Sequence, residues 1–209
     1  AYALAQLTVD QLSALLLPLG DFDKATTRGR ALDFGLPVHD KTESQDICFV
    51  EGGDYRDVLA RVRPDIARDG DLVATDGIVL GTHSGVANFT IGQRAPLGGS
   101  SEPRYVVRID AASNTIVVGR GEDLLADALR ADEVNLIRKD GFARGRSVDA
   151  MIRYRSEAAR ATAKLESEGS LLLAFAEPQR AIAPGQLVAF FEPGGDEVLG
   201  AATIREAIV

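Results

Sequence analysis

Cys48 is the only cysteine among 209 residues, and it stands where two stretches of opposite character meet. Lys41-Thr42-Glu43-Ser44-Gln45-Asp46 is polar, Ile47-Cys48-Phe49-Val50 is largely apolar, and Gly52-Gly53 follows. The pattern reads as a polar loop entering a short buried strand, with the thiol at the boundary. A thiolate there could attack an electrophile or carry a transferable sulfur atom, because it can be deprotonated and reloaded. In an extended segment Ile47 and Phe49 face one way and Cys48 the other, so the strand can be anchored without burying the sulfur. Glu43 and Asp46 oppose thiolate formation and Lys41 favours it. The competing reading is a free cysteine that packs as a small hydrophobe.

Two further constellations could do chemistry. Between Arg138 and Lys164 stand eight basic residues and three acidic ones, a local excess of five positive charges in a chain of net charge -8. Read as a strand, this stretch projects Arg153 and Arg155 from one face with Tyr154 between them. That is either a solvated face or one that contacts phosphates and stacks on unpaired bases. The other constellation is His83-Ser84-Gly85-Val86-Ala87-Asn88-Phe89-Thr90-Ile91-Gly92-Gln93-Arg94, which by composition is a glycine-rich β connection. His39 and His83 are the only histidines and cannot alone make a zinc site. No phosphate loop, paired-cysteine metal site, His-Glu-x-x-His or Ser-Gly-Gly-x-Asp-Ser string is present.

The elements that would position these residues change character along the chain. Residues 1–63 read as helical with one extended excursion. Thr8 and Gln11 form a capping-box pattern ahead of an apolar stripe at Val9, Leu12, Leu15 and Leu16, stopped by Pro18 and Gly20. A second helix is expected over Lys24–Phe34, with Gly35 just past its end. A third is expected from an Asp54 cap through Tyr55, Val58, Leu59 and Val62 to Pro64. Strands and turns follow. Asp76-Gly77 between Leu72–Thr75 and Ile78–Gly81 predicts a hairpin with a type I′ turn. Tyr105–Asp110 alternates as a half-buried strand and Thr115–Val118 returns, with Gly98-Gly99-Ser100-Ser101 as a loop before the pair and a short helical turn expected between Gly121 and Leu129. Alternation over 148–155 and 161–165, then apolar runs at 171–175, 187–191 and 198–204, suggest a small closed barrel. The fold class expected is mainly β with a helical N-terminal segment, a small central β domain and a C-terminal β-barrel. The expected divisions are residues 1–66, 67–129 and 130–209.

Composition bounds the function. Hydrophobic residues make up 45%, enough for a core and too many for a disordered chain. The negative net charge argues against nucleic-acid binding by the chain as a whole, since phosphate contacts need Lys and Arg, so any such contact must be local. A single cysteine excludes an internal disulfide and suits a reducing compartment. No apolar run approaches a membrane span and no signal pattern is seen, so a soluble, cytoplasmic protein without membrane partners is expected.

Lys-x-x-Ser-Gln-Asp-Ile-Cys-Phe at Lys41–Phe49 resembles the second cysteine motif of the tRNA-specific 2-thiouridylases, the MnmA (TrmU) family. His-x-Gly-x-x-x-Phe-Thr-Ile-Gly-Gln-Arg at His83–Arg94 is similar to a motif of that family's central domain. Ala183-Pro184-Gly185-Gln186, followed by Val198-Leu199-Gly200, is similar to its C-terminal part. The resemblance implies a tRNA-uridine 2-sulfurtransferase that replaces the C2 oxygen of the wobble uridine with sulfur, with ATP activating the oxygen and a cysteine persulfide delivering the sulfur. It puts the persulfide on Cys48, with Ser44, Gln45 and Asp46 in the motif around it. It puts tRNA contacts on Arg153, Tyr154 and Gln186, with Arg155 beside them. Tyr2 corresponds to the end of a tRNA-touching Lys-Asp-Gln-Ser-Tyr segment, with Ala1 in place of Ser. His83, Gly85, Gln93 and Arg94 carry motif matches without an assigned role. The family's ATP pyrophosphatase loop, acidic catalytic residue and first catalytic cysteine have no counterpart here. The chain therefore reads as the C-terminal part of such an enzyme, inactive alone, with ATP bound by another domain, no metal site, and tRNA and a sulfur donor such as a cysteine desulfurase as partners. The alternatives are a non-catalytic RNA-binding module on a translation-factor-like barrel, and a redox-responsive structural protein using Cys48 alone.

Overall fold

Glycine and proline punctuation cuts the first sixty residues into short helices. A computed structural model of the chain describes residues 2–42, 55–64, 68–95, 97, 102–166 and 168–209, with the backbone alone at 55–57 and 60. Cys48, Ser44, Gln45, Asp46, the Asp54 cap and the 98–101 loop lie outside the described residues. The chain divides into two compact units, residues 9–55 and residues 1–8 with 56–209.

In the first unit α1 covers Val9–Ala14 and α2 covers Lys24–Asp33. Asp23 caps α2 by accepting the Thr26 N–H at 2.8 Å. Gly35, at φ +66°, ends it: the Gly35 N–H bonds Leu32 O and the Leu36 N–H bonds Ala31 O, the pairing of a Schellman motif. The expected stripe does not turn inward. Val9, Leu15 and Leu16 are exposed and Leu12 is half-buried; α1 stops at Ala14, so Leu15 and Leu16 lie past its last turn. The third helix, α3, runs over Tyr55–Val62 as expected, with Val62 exposed.

Four strands form a sheet in the order β2-β1-β4-β3: β1 Gly70–Ala74, β2 Val79–His83, β3 Tyr105–Asp110 and β4 Thr115–Gly119. β1 runs antiparallel to β2 and parallel to β4. The β1–β2 turn is not type I′, which needs positive φ at both central residues. Only Gly77 has it, at +88°; its N–H bonds Ala74 O at 2.9 Å and the Ala74 N–H bonds Ile78 O at 2.8 Å. That is a type I turn followed by a glycine bulge. The alternation expected in β3 is broken as well. A register shift between Val106 and Arg108 leaves Val107 as the extra residue, so Val106 and Ile109, three apart, both join the core on one face. Leu72, Ile116 and Val118 complete that face, and Val86, Phe89 and Ala95 from the connection after β2 cover it.

Six strands close a barrel in the order β10-β5-β8-β7-β6-β9. They are β5 Leu125–Leu136, β6 Arg146–Met151, β7 Ala159–Leu165, β8 Leu171–Arg180, β9 Leu187–Phe191 and β10 Val198–Ile208. The expected helical turn is confined to a single 3-10 turn at Glu122–Leu124, and Leu125 already enters β5. The Ala- and acid-rich β5 sequence hides its strand character behind bulges. Ala126, Leu129 and Ala131 face inward although the first two are three apart, with a register shift between Ala126 and Ala128. The interior is filled by Leu129, Val148, Leu171, Leu173, Val188 and Leu199 around Phe142 and Phe190, whose rings lie 6.3 Å apart. The mainly β class, the central sheet and the C-terminal barrel are as the sequence predicts.

Asp149 ties one barrel end together. Arg160 Nε donates to it at 2.6 Å and the Gly194 N–H at 2.7 Å. The Arg160 hydrogen bond first, then the Gly194 amide, hold its carboxyl below the ordinary carboxylate range. A depressed folded pKa gives stability that is complete above the unfolded aspartate range near ~3.9 and is lost as pH falls through the folded value. Asp149→Asn is expected to flatten this acid limb, so that acid titrations of wild type and variant, followed by circular dichroism, converge at the lowest pH. Separately, a Cβ at Gly70 would lie 2.8 Å from His83 Nε2 and collide with the Asn114 carbonyl, which is fixed backbone. Gly70→Ala is expected to cost about 2 kcal/mol by overpacking, read as a melting-temperature drop of several degrees.

Candidate nucleic-acid interface

The barrel surface near the chain's start gathers residues that are far apart in sequence. Tyr2–Leu4 forms a single 3-10 turn, and Ala5 is buried against Ala189 of β9 and Ala201 of β10, two small side chains that let the segment approach. Asn135 of β5 holds it there, its Nδ2 donating to Ala5 O at 3.0 Å and to Leu7 O at 2.9 Å. The Tyr2 hydroxyl donates to Leu187 O at 2.5 Å, and burial pushes its pKa up, which keeps the phenol a neutral donor. Leu187 follows Gln186, which is exposed in the turn closed by the Gln186 N–H to Ala183 O bond.

Tyr154 meets this segment. Its ring centroid lies 6.1 Å from that of Tyr2, and the Arg155 guanidinium sits 5.2 Å from the Tyr154 ring. Tyr154 is 66% exposed, so its free face is available to a stacking partner. Arg153, Tyr154 and Arg155 are not on a strand as expected. β6 ends at Met151, and the three lie in a turn closed by the Ser156 N–H to Arg153 O bond, with Arg155 at φ +65°. The turn projects both arginines where strand alternation would have fixed them to one face.

The basic stretch is only partly available. Arg138 pairs with Glu197, Arg146 with Asp140 and Glu192, and Arg160 with Asp149. Among the described residues, Arg153 and Arg155 pair with no carboxylate.

The His83–Arg94 segment builds a junction. Nδ1 of His83 accepts the Gly85 N–H at 3.0 Å and Nε2 lies 3.1 Å from Asn114 O, so the proton sits on Nε2. The ring packs edge-on to Phe89 at 5.4 Å. Gln93 Oε1 accepts the Thr90 N–H at 3.0 Å, and the Gly92 N–H and the Gln93 carbonyl both bond the Val106 backbone. Gly92, at φ +86°, abuts the barrel so closely that a Cβ there would lie 2.8 Å from Ala181 Cβ. Beside this contact a cleft of about 490 Å³ opens between sheet and barrel, lined by Ile91, Val107, Val117, Leu124 and Ile182. Arg94 is exposed and pairs in register with Tyr105. Among the described residues no cluster of His, Cys, Asp or Glu is placed to hold a metal, and no helix is long and apolar enough to cross a membrane.

Residues 1–52 match the family described as tRNA methyl transferase HUP domain, 56–120 the tRNA methyl transferase PRC-barrel domain, and 126–204 the Aminomethyltransferase beta-barrel domain. Over 99% of its length the chain is 42% identical to the tRNA-specific 2-thiouridylase MnmA of Xanthobacter autotrophicus, of which it covers 55%. It is 43% identical to that of Moorella thermoacetica over 98% of its length, covering 57% of that protein. The chain belongs to the MnmA family. It spans little more than half the length of these MnmA relatives.

Of the residues the sequence singles out, the structure brings together Tyr2, Tyr154, Arg155 and the Gln186–Leu187 turn. It sets His83, Gly85 and Gln93 apart, in contacts within the central sheet and the connection after β2. Sequence reasoning missed Asn135, whose only signal is a polar amide amid strand residues. Asn135→Ala removes two hydrogen bonds, worth about 1 kcal/mol each. It should free the N-terminal segment, seen as roughly thirtyfold faster amide exchange at Ala5 and Leu7 with the barrel amides unchanged.

Proposed function

We propose that this chain is the sulfur-carrying and tRNA-docking part of a tRNA-uridine 2-sulfurtransferase. The observation that carries the reading is the convergence of Tyr2, Tyr154, Arg155 and the Gln186–Leu187 turn on one barrel face, in a chain whose single thiol lies in a thiouridylase-like motif. The exposed Tyr154 ring offers a stacking surface for an unpaired base, and Arg153 and Arg155 offer unpaired guanidinium groups to phosphates. Gln186 presents an amide that can read a base or ribose.

Cys48 is the sulfur carrier. Its thiolate attacks the terminal sulfur of a donor persulfide; the new S–S bond forms on Cys48 and the donor leaves as a thiolate, so the transfer needs no outside oxidant. ATP supplies the leaving group at the uridine C2 position. The 209 residues hold no Ser-Gly-Gly-x-Asp-Ser loop to bind it. In this reading its loop belongs to another part of the enzyme, and the sulfur donor is a partner protein.

The test joins the chain to the N-terminal portion of the Moorella thermoacetica relative. The hybrid should thiolate tRNA, Cys48→Ser should abolish thiolation while tRNA binding stays near wild type, and a persulfide donor should add sulfur to the peptide containing Cys48. The chain alone, given ATP, tRNA and donor, should yield no thiolated uridine by mass spectrometry. Thiolation by the Cys48→Ser hybrid at the wild-type rate would reduce Cys48 to a packing residue.

A further inference from the structure

The Tyr2–Tyr154–Arg155 face does not end at the barrel rim. Arg153 Nη2 reaches the Arg180 carbonyl at 3.4 Å, and Arg180, the last residue of β8, lies where barrel and sheet meet. Its guanidinium sits 4.9 Å from the ring centroid of Tyr105, the first residue of β3. Tyr105 in turn pairs with Arg94. Two arginine-on-tyrosine pairs, one on the barrel and one on the sheet, are thus linked through Arg153.

Charge pairing sets these arginines apart. From Arg94 onward, seven arginines of the β unit carry carboxylate partners. Arg94, Arg104, Arg144, Arg153, Arg155 and Arg180 carry none among the described residues, although acids outnumber bases 31 to 23 in the chain, and of these Arg155 and Arg180 also sit on tyrosine rings. A guanidinium held on an aromatic face keeps its plane fixed while leaving its N–H donors free for phosphate oxygens. Arg94 and Arg180 are exposed and Tyr105 is half-buried, so the pair is open on one side.

We propose that Arg180 and Tyr105, with Arg94, form a second RNA-contact platform on the central sheet, continuous with the one on the barrel, and that a bound tRNA lies across both. The inference rests on the RNA reading of the barrel face and adds that the sheet takes part. The ligand is a polyanionic ribose-phosphate backbone: a string of unpaired arginines supplies the charge, and stacking-competent tyrosines suit RNA better than an acidic peptide.

The test measures binding of labelled tRNA to the 209-residue chain across a salt series, with an acidic polyglutamate peptide as competitor. Arg153→Ala reports on the barrel face. Arg180→Ala is expected to weaken tRNA binding roughly five- to tenfold and to lower the slope of log affinity against log salt by about 0.7–0.9, one phosphate contact. Arg180→Lys should keep that slope. Tyr105→Ala should weaken binding with little change of slope, because stacking releases no counterions. Arg94→Ala, at an exposed site whose backbone pairing survives, should lower the slope without altering the melting temperature, and it decides the matter if Arg180→Ala does not fold. If Arg153→Ala weakens binding while Arg180→Ala, Tyr105→Ala and Arg94→Ala bind as wild type, the platform stops at the barrel and the proposal fails. If Arg153→Ala also binds as wild type, the RNA reading of the barrel face fails with it. Displacement of tRNA by polyglutamate at equal charge concentration would mark a general acid-binding patch and overturn the RNA assignment.

Discussion

Barrel closure through β10 is the constraint on which the rest of the arrangement depends. β10 pairs with β5 on one side and β9 on the other, so it closes the ring and also supplies Ala201 to the outer surface. Ala201 and Ala189 leave the shallow place that Ala5 fills, and Asn135 of β5 reaches the N-terminal carbonyls from the strand next to β10. Closure demands irregularity. β10 meets β5 with register shifts after Ala201 and after Ile204, and Glu133 takes φ +51°. Each bulge turns the strand and redirects the side chains beyond it. Tyr2 stands beside Tyr154 because of this geometry, which no local feature of either residue fixes.

The electrostatic pattern follows from the same geometry. A chain of net charge -8 has carboxylates to spare, and on the barrel wall they neutralise the arginines that strand pairing brings beside them: Arg130 sits between Glu166 and Glu206, and Arg146 between Asp140 and Glu192. The 153–155 turn escapes because it leaves the strand register, so no cross-strand carboxylate faces it. At this turn, local positive charge in an acidic protein comes from two arginines that lie off the strand ladders.

Much of the fold was legible in the sequence where one cause dominates. Gly35 ended α2, and the apolar runs at 171–175 and 187–191 became barrel strands. Legibility failed where pairing overrode local pattern. Alternation in β3 was misleading because the Val107 bulge moves Ile109 to the face of Val106, and β5 was hidden by its Ala and acid content. Asp76-Gly77 marked the turn but not its type, since one positive φ suffices once Gly77 forms a bulge. The site was legible as separate pieces. Arg153, Tyr154 and Gln186 were visible in sequence, but their nearness to Tyr2, and the part played by Asn135, depend on contacts about 130 to 185 residues apart.

The His83–Arg94 motif shows why a specific string need not be a reactive one. His83 has the residue type of a general base, yet both ring nitrogens are committed, one to the Gly85 N–H and the other to the Asn114 carbonyl. Gly85 needs φ +117°, Gly92 needs φ +86° and has no room for a Cβ, and Gln93 closes its own turn on Thr90. Several backbone demands fall within twelve residues, and each narrows the choice at its position. What the string encodes is a tightly turned connection after β2, whose Gly92 lets the sheet lie close against Ala181 of the barrel. That junction brings Tyr105 within reach of Arg180.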